Sequence, residues 1–311
     1  MTEIEPYTQN DRTEWNRFCR QSKNGTFLFE REYMEYHSEK FVDRSLMIRW
    51  KGDLHAILPA NIEGSTLRSH EGLTFGGFVT DRKMTAAKML EAFDALEQFA
   101  DEHGIEKIEY KSIPYIYQTI PASEDEYALS RAGADLVARE ITSAVDIENR
   151  PSFQTNRQRS ISDAEAAGLT VELSNDFETY WGILKHNLAR KHNTEPVHTL
   201  DEIRLLHTRF PDNVKLFTSH RCDEMLAGVV VYESANCARA QYIANSDEGR
   251  SLGALDIVFD YLINEHYIHK RYFDLGISTE ERGGFLNEGL VFFKEGFGAR
   301  GVVYDHYELT I

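Results

Sequence analysis

The chain has 311 residues, 41% hydrophobic and 12% aromatic, with 51 acidic against 34 basic side chains and a formal charge of −17. That composition can fill one large core or two ordinary ones, and it excludes a disordered chain. So acidic a surface repels nucleic-acid phosphate and anionic lipid, which counts against DNA as a partner.

The first stretch, 11–22, carries Trp15 and Phe18 and reads as a short helix. Two strands follow, 46–50 and 55–59, across a Lys51-Gly52-Asp53 turn. Ser69, His70 and Glu71, followed by Gly76 and Gly77, suggest a place where backbone comes close to a ligand. Residues 85–103 form an amphipathic helix with Met89, Phe93, Leu96 and Ala100 on one face, closed by Gly104. A strand at 105–113 ends at Pro114. Breakers at Asn149, Pro151 and Ser152 mark a junction at 147–155, which divides the chain into domains 1–148 and 149–311.

The second half opens with a basic helix, 156–168, bearing Arg157 and Arg159. After a strand at 169–173 comes a long helix, 176–193, and then strands at 214–218 and 225–233. His186, His192 and His198 lie six residues apart, unlike the i, i+4 pair of a helical zinc site, and the three cysteines, Cys19, Cys222 and Cys237, form no CxxC. No metal is expected. The N-terminal residues lack the basic region and apolar core of a signal peptide, and no run is long enough to span a bilayer. A cytoplasmic protein is expected.

From 237 to 298 the pattern is strand, glycine-bearing loop, helix, strand and helix, a βαβ unit. The loop, 245–251, runs into the helix through Glu248-Gly249-Arg250-Ser251-Leu252-Gly253-Ala254-Leu255. A helix that starts here leaves its first N–H groups unpaired, a seat for phosphate, with Arg250 adding a full charge. A plain strand–helix turn without a ligand fits the same residues. The first half repeats the element order: Ile113 and Ile277 stand 164 residues apart, Gly133 and Gly296 163 apart. The expected fold class is therefore α+β in two tandem copies, each a mixed sheet flanked by helices.

The octapeptide resembles the pyrophosphate loop of the GNAT superfamily of N-acyltransferases, Arg/Gln-x-x-Gly-x-Gly/Ala, with Glu248 and Ser251 as departures. With Arg157, Ile161, Ala164 and Gly168 opening the second copy, and Phe293-Lys294-Glu295-Gly296-Phe297-Gly298 near the end, the whole chain resembles the FemAB-like branch. The resemblance implies two GNAT-like domains and direct acyl transfer, from acyl-CoA (acetyl-CoA) to an amine of a small molecule or sugar nucleotide, in cell-envelope or surface-polysaccharide synthesis. It puts the donor on Gln241, Tyr242, Gly249, Arg250, Ser251, Leu252 and Gly253. Asp274 would take the amine proton and Lys294 would stabilise the departing charge, Phe292 standing where many relatives carry an acidic tyrosine. His70, Lys111, Tyr115, Ser278 and Asn287 would meet the acceptor. A long helical arm is missing and the chain is acidic throughout, which disfavours aminoacyl-tRNA as the donor without excluding it. A GNAT-like binding protein without turnover is the remaining alternative.

Overall fold

The computed structural model describes residues 2–192 and 194–311; Asn193, where the sequence puts the end of the 176–193 helix, and the side chains of Lys191 and His192 lie outside the described residues. The chain forms two compact units, the first made of Met1–Glu140, Glu281–Gly284 and Val303–Ile311, the second of Ile141–Glu280 and Phe285–Val302.

The first unit holds an antiparallel sheet in the order Thr2–Pro6, Leu46–Trp50, Asp53–Leu58, Val79–Thr80. Lys51 and Gly52 take positive φ, 53° and 85°, the backbone a two-residue hairpin needs. A second group pairs Asn61–Glu63 with Thr66–Arg68, and Thr66–Arg68 with Lys107–Lys111. The last strand, Arg300–Thr310, takes the other edge of Lys107–Lys111. Helix Ala86–Glu102 starts at Thr85, whose hydroxyl accepts from the Lys88 N–H. Its apolar stripe, Met89, Phe93, Leu96 and Ala100, is buried against Leu46, Ile48, Phe78 and Ile108. Gly104 follows with φ 67°.

The second unit is a mixed sheet in the order Leu169–Ser174, Val214–Arg221, Glu224–Glu233, Cys237–Asn245, Tyr272–Ile277 and residues 141–146. Neighbours are antiparallel except Cys237–Asn245 and Tyr272–Ile277, which run parallel and are joined by helix Ala254–Tyr261. Strand alternation sends Val229 and Val231 into the core with Val258 and Phe259 of that helix. Gly228 faces the other way, and a side chain there would meet the Tyr180 ring of helix Phe177–His192 at 2.7 Å. The two copies differ at their glycines: Gly133 closes helix Glu124–Ala132 in the left-handed region, whereas Gly296 has φ −58° and the left-handed residue is Gly298.

Candidate functional site

Strand Cys237–Asn245 is irregular on both edges. Against Glu224–Glu233 its register slips: Val230 stands opposite Tyr242 and Val231 opposite Ala240, so Gln241 is the extra residue of a β-bulge. Against Tyr272–Ile277 the ladder ends early, its pairs running from Cys237 with Tyr272 to Arg239 with Asp274. Beyond that point, among the described residues, Gln241–Ala244 has no parallel partner strand. Tyr272–Ile277 carries its own irregularity, skipping from Asp274 to Ile277 against residues 144 and 142, with Gly276 at φ 84°.

Asp274 and Lys294 organise the end of this ladder. Asp274 is fully buried, and its Oδ1 accepts from the Thr142 hydroxyl and, at 2.8 Å, from the Gly276 N–H. Lys294 comes from helix Glu288–Glu295 and is buried as well. Its Nζ donates to the carbonyls of Gly276 (2.7 Å) and Ile277 (2.8 Å) and to the Ser278 hydroxyl (2.9 Å), which uses all three ammonium protons. Burial lowers its pKa to about 8, against the opposing pull of the Asp274 carboxylate. Asn287 sits beside this group as a helix cap: its Oδ1 accepts from the Leu290 N–H at 3.0 Å, and its own N–H reaches the Ser278 carbonyl.

The loop read from sequence as irregular contains a short helix, Asp247–Ser251, capped by Ser246. The Gly249 N–H goes to Ser246 Oγ, the Arg250 N–H to the Ser246 carbonyl and the Leu252 N–H to the Glu248 carbonyl. Those three amides are therefore spent inside the protein. The Arg250 guanidinium donates to Asp247 (2.9 Å) and to Asn187 Oδ1 (2.7 Å), and Glu248 pairs with Arg221. Gly253 has φ 71°, and a side chain on it would meet the Ser160 carbonyl at 2.5 Å. Asp256, in the first turn of Ala254–Tyr261, accepts from Arg157 (2.6 Å) and Ser160 (2.9 Å). A carboxylate thus already lies against the positive end of this helix.

Tyr242, one residue past the bulge, accepts a hydrogen bond from the His198 N–H at 3.2 Å and also bonds to His198 Nδ1. The Trp181 ring stands edge-on to it at 5.2 Å. Burial pushes the phenol up to about 12, so it stays protonated at neutral pH.

In the first unit, His70 is 3% exposed, with φ 50°, among Phe41 and His37. Burial drives its pKa down to about 3, so it is a neutral interior histidine. Lys111 donates to the carbonyls of Glu71 and Leu73, its pKa lowered by burial, and it lines a cleft of about 260 Å³ with Arg68, Glu109, Arg282 and His306. Tyr115 is 55% exposed, in the turn Tyr115–Tyr117.

No family model matches the sequence, and no curated protein does. Solved structures do. FemX superposes over 99% of this chain and 97% of its own, with a TM-score of 0.71 at 12% identity. The chain has the FemAB-like tandem GNAT fold. The C-terminal domain of a putative lysylphosphatidylglycerol synthetase from Agrobacterium fabrum matches over 97% of this chain and 92% of its own, with a TM-score of 0.61 at 13% identity. A tandem GNAT protein from the clavulanic acid biosynthesis pathway matches over 100% and 98%, with a TM-score of 0.52 at 11% identity. At these identities the likeness carries the fold alone.

Within the second copy of the tandem GNAT fold, the structure brings together Gln241 with Tyr242, and Asp274 with Ser278 and Lys294. It adds Trp181 and Thr142, which sequence reasoning passed over, and His198, which it weighed only as a metal ligand. No spacing signal leads to them, because His198 reaches Tyr242 from a loop 44 residues away. Among the described residues no group of three or more His, Cys, Asp or Glu side chains could hold a metal, and no helix is long and apolar enough to cross a membrane.

Proposed function

We propose that the protein is an N-acyltransferase that moves an acyl group from a thioester donor, acyl-CoA in the first instance, to an amine of a small molecule. The observation that carries this reading is the early end of the parallel ladder beside the Gln241 bulge. An unpaired strand edge offers N–H and C=O groups at strand spacing to an extended, amide-bearing chain, and pantetheine is such a chain. A thioester carbonyl lying there faces backbone N–H donors where its oxyanion develops. Lys294 holds the Gly276 and Ile277 carbonyls and the Ser278 hydroxyl and keeps a buried positive charge near the departing thiolate. Asp274, enclosed and bonded to Thr142 and Gly276, supports a positioning role for the end of its strand. The amine attacks as the free base, so an ordinary alkyl amine reacts from the small neutral fraction it has below its pKa of about 10.

One observation favours a second reading. With the amides of 249, 250 and 252 engaged and Asp256 lying at the helix start, the pyrophosphate seat expected from the sequence is largely occupied. A donor without a pyrophosphate, such as an aminoacyl ester on tRNA, does not need it. Calorimetry with acetyl-CoA, followed by an assay of thiol release over a pool of amines, tests the first reading. Binding with amine-dependent thiol release is the expected result. No CoA binding, together with amine acylation by charged tRNA that weakens steeply with salt, would transfer the reaction to the second. Tight CoA binding without thiol release from any amine would leave a binding protein.

A further inference from the structure

Helix Glu288–Glu295 is covered on one face at its end and bare on the same face at its start. Phe293 packs beside Phe259 and Phe297, with ring centroids 6.0 and 5.3 Å away, and Lys294 is 2% exposed. One turn earlier the same face holds Gly289 and Leu290, four residues before Phe293 and Lys294 respectively. Leu290 is nonetheless 36% exposed. Among the described residues, a side chain on Gly289 would meet nothing nearer than Asn287 Oδ1, at 3.8 Å. The apolar face therefore runs out of cover where it leaves Lys294.

Leu286 is tied to the same place. It pairs with Thr279, the residue after Ser278, and is 44% exposed. The next residue, Asn287, donates its N–H to the Ser278 carbonyl at 3.0 Å, and its Oδ1 accepts from the Leu290 N–H at 3.0 Å. Lys294 Nζ donates to the Ser278 hydroxyl at 2.9 Å. Leu286, Leu290 and Lys294 are thus gathered around one residue. The same group reaches the bulged strand: a side chain on Gly276, whose carbonyl Lys294 holds, would lie 3.5 Å from the Ala240 carbonyl. From 285 to 293 the chain carries a single charge, Glu288, in a protein of net charge −17.

We propose that the donor's acyl group is an aliphatic chain longer than acetyl, laid over Gly289, Leu290 and Leu286. This rests on the acyl-CoA reading and names the donor's class within it. A thioester carbonyl on the Gln241–Ala244 edge lies next to Ala240 and so to the Lys294 group, and the chain leads from there along the uncovered face. An acetyl group stops at its methyl and leaves Leu290 and Leu286 in water; a longer chain removes their apolar surface from it. A second copy of this protein would also cover exposed leucines, but it has no need of the space over Gly289 or of continuity with the strand edge.

The test is calorimetric titration of the whole protein with acetyl-CoA and with octanoyl-CoA. A fully buried methylene is worth about fourfold in affinity, so a chain lying on an open face should make octanoyl-CoA at least about tenfold tighter than acetyl-CoA. Gly289→Leu, which fills the space, and Leu290→Asn, at a partly exposed position, should each remove most of that difference with melting temperatures close to the wild type. Equal affinity for the two thioesters, or a preference for octanoyl-CoA that survives in both variants, overturns the proposal and leaves the acyl-CoA reading standing. Failure of both thioesters to bind removes that reading and this inference with it. Dimerisation of the wild type in sedimentation velocity that Leu290→Asn abolishes assigns the face to a second copy and overturns the proposal as well.

Discussion

Lys294 commits every ammonium proton to Gly276, Ile277 and Ser278 while burial holds its pKa down at about 8. An unfolded lysine titrates near 10.5, so between pH 8 and 10.5 the unfolded chain binds more protons than the folded one, and this group's contribution to stability rises with pH across that window. The wild type should therefore gain stability relative to Lys294→Met as pH goes from 8 to 10.5, as read by paired denaturant titrations. The same variant should lower turnover by roughly 10²–10⁴ if the buried charge assists thiolate departure. Asp125 carries the opposite sign. Fully buried beneath Tyr110, whose hydroxyl donates to its Oδ2 at 2.6 Å, it has a pKa raised to about 7, chiefly by burial. Its contribution is fully present below pH 4 and is lost as pH rises to 7. Asp125→Asn keeps an acceptor for Tyr110 and removes the titration, so between pH 4 and 8 it should gain roughly 2–4 kcal/mol on the wild type. Parallel curves for the two proteins would show that the carboxyl titrates normally.

Elements with a full period of apolar residues could be read from the sequence: Ala86–Glu102 has about three turns of buried stripe and a Thr cap, and Cys237–Asn245 a run of alternation. What the sequence withheld depends on contacts between distant residues. The five-residue helix Asp247–Ser251 is too short for periodicity, and its Ser246 cap decides it. The bulge at Gln241 is visible only against Glu224–Glu233. The hairpin of Thr279–Glu280 with Phe285–Leu286 has two-residue strands, too short for a readable alternation. There Glu281, Arg282 and Gly283 all have positive φ, and a side chain on Gly283 would overlap the Arg139 carbonyl at 1.9 Å. Gly104 also has positive φ, 67°, but open space around it. Gly104→Ala should cost only the backbone strain, about 1 kcal/mol, and Gly283→Ala distinctly more, since backbone must also move. Thermal melts of the two variants side by side check the order.

Over the whole molecule, a charge of −17 makes self-repulsion a standing cost of compactness. The melting temperature should climb as salt is raised from about 10 mM toward about 150 mM, where the screening length falls to about 8 Å. A flat response would mean that the acidic residues are locally neutralised by their ion pairs. The first unit also draws on residues 303–311, which pair with Lys107–Lys111 and place Leu309 in its core. Truncation before Val303 should therefore make residues 1–140 sensitive to protease, although nothing is removed from that stretch.

That last pairing has a consequence for biosynthesis. As the chain leaves the ribosome, Lys107–Lys111 can find Thr66–Arg68 at once, but its other edge waits for almost the entire remaining sequence to be translated. A nascent strand with one bare edge is an invitation to pair with a neighbour's. Its outward residues, Lys107, Glu109 and Lys111, are all charged, while Ile108 and Tyr110 turn inward to the core. The strand thus carries its own guard against sticking to other nascent chains until its final partner emerges.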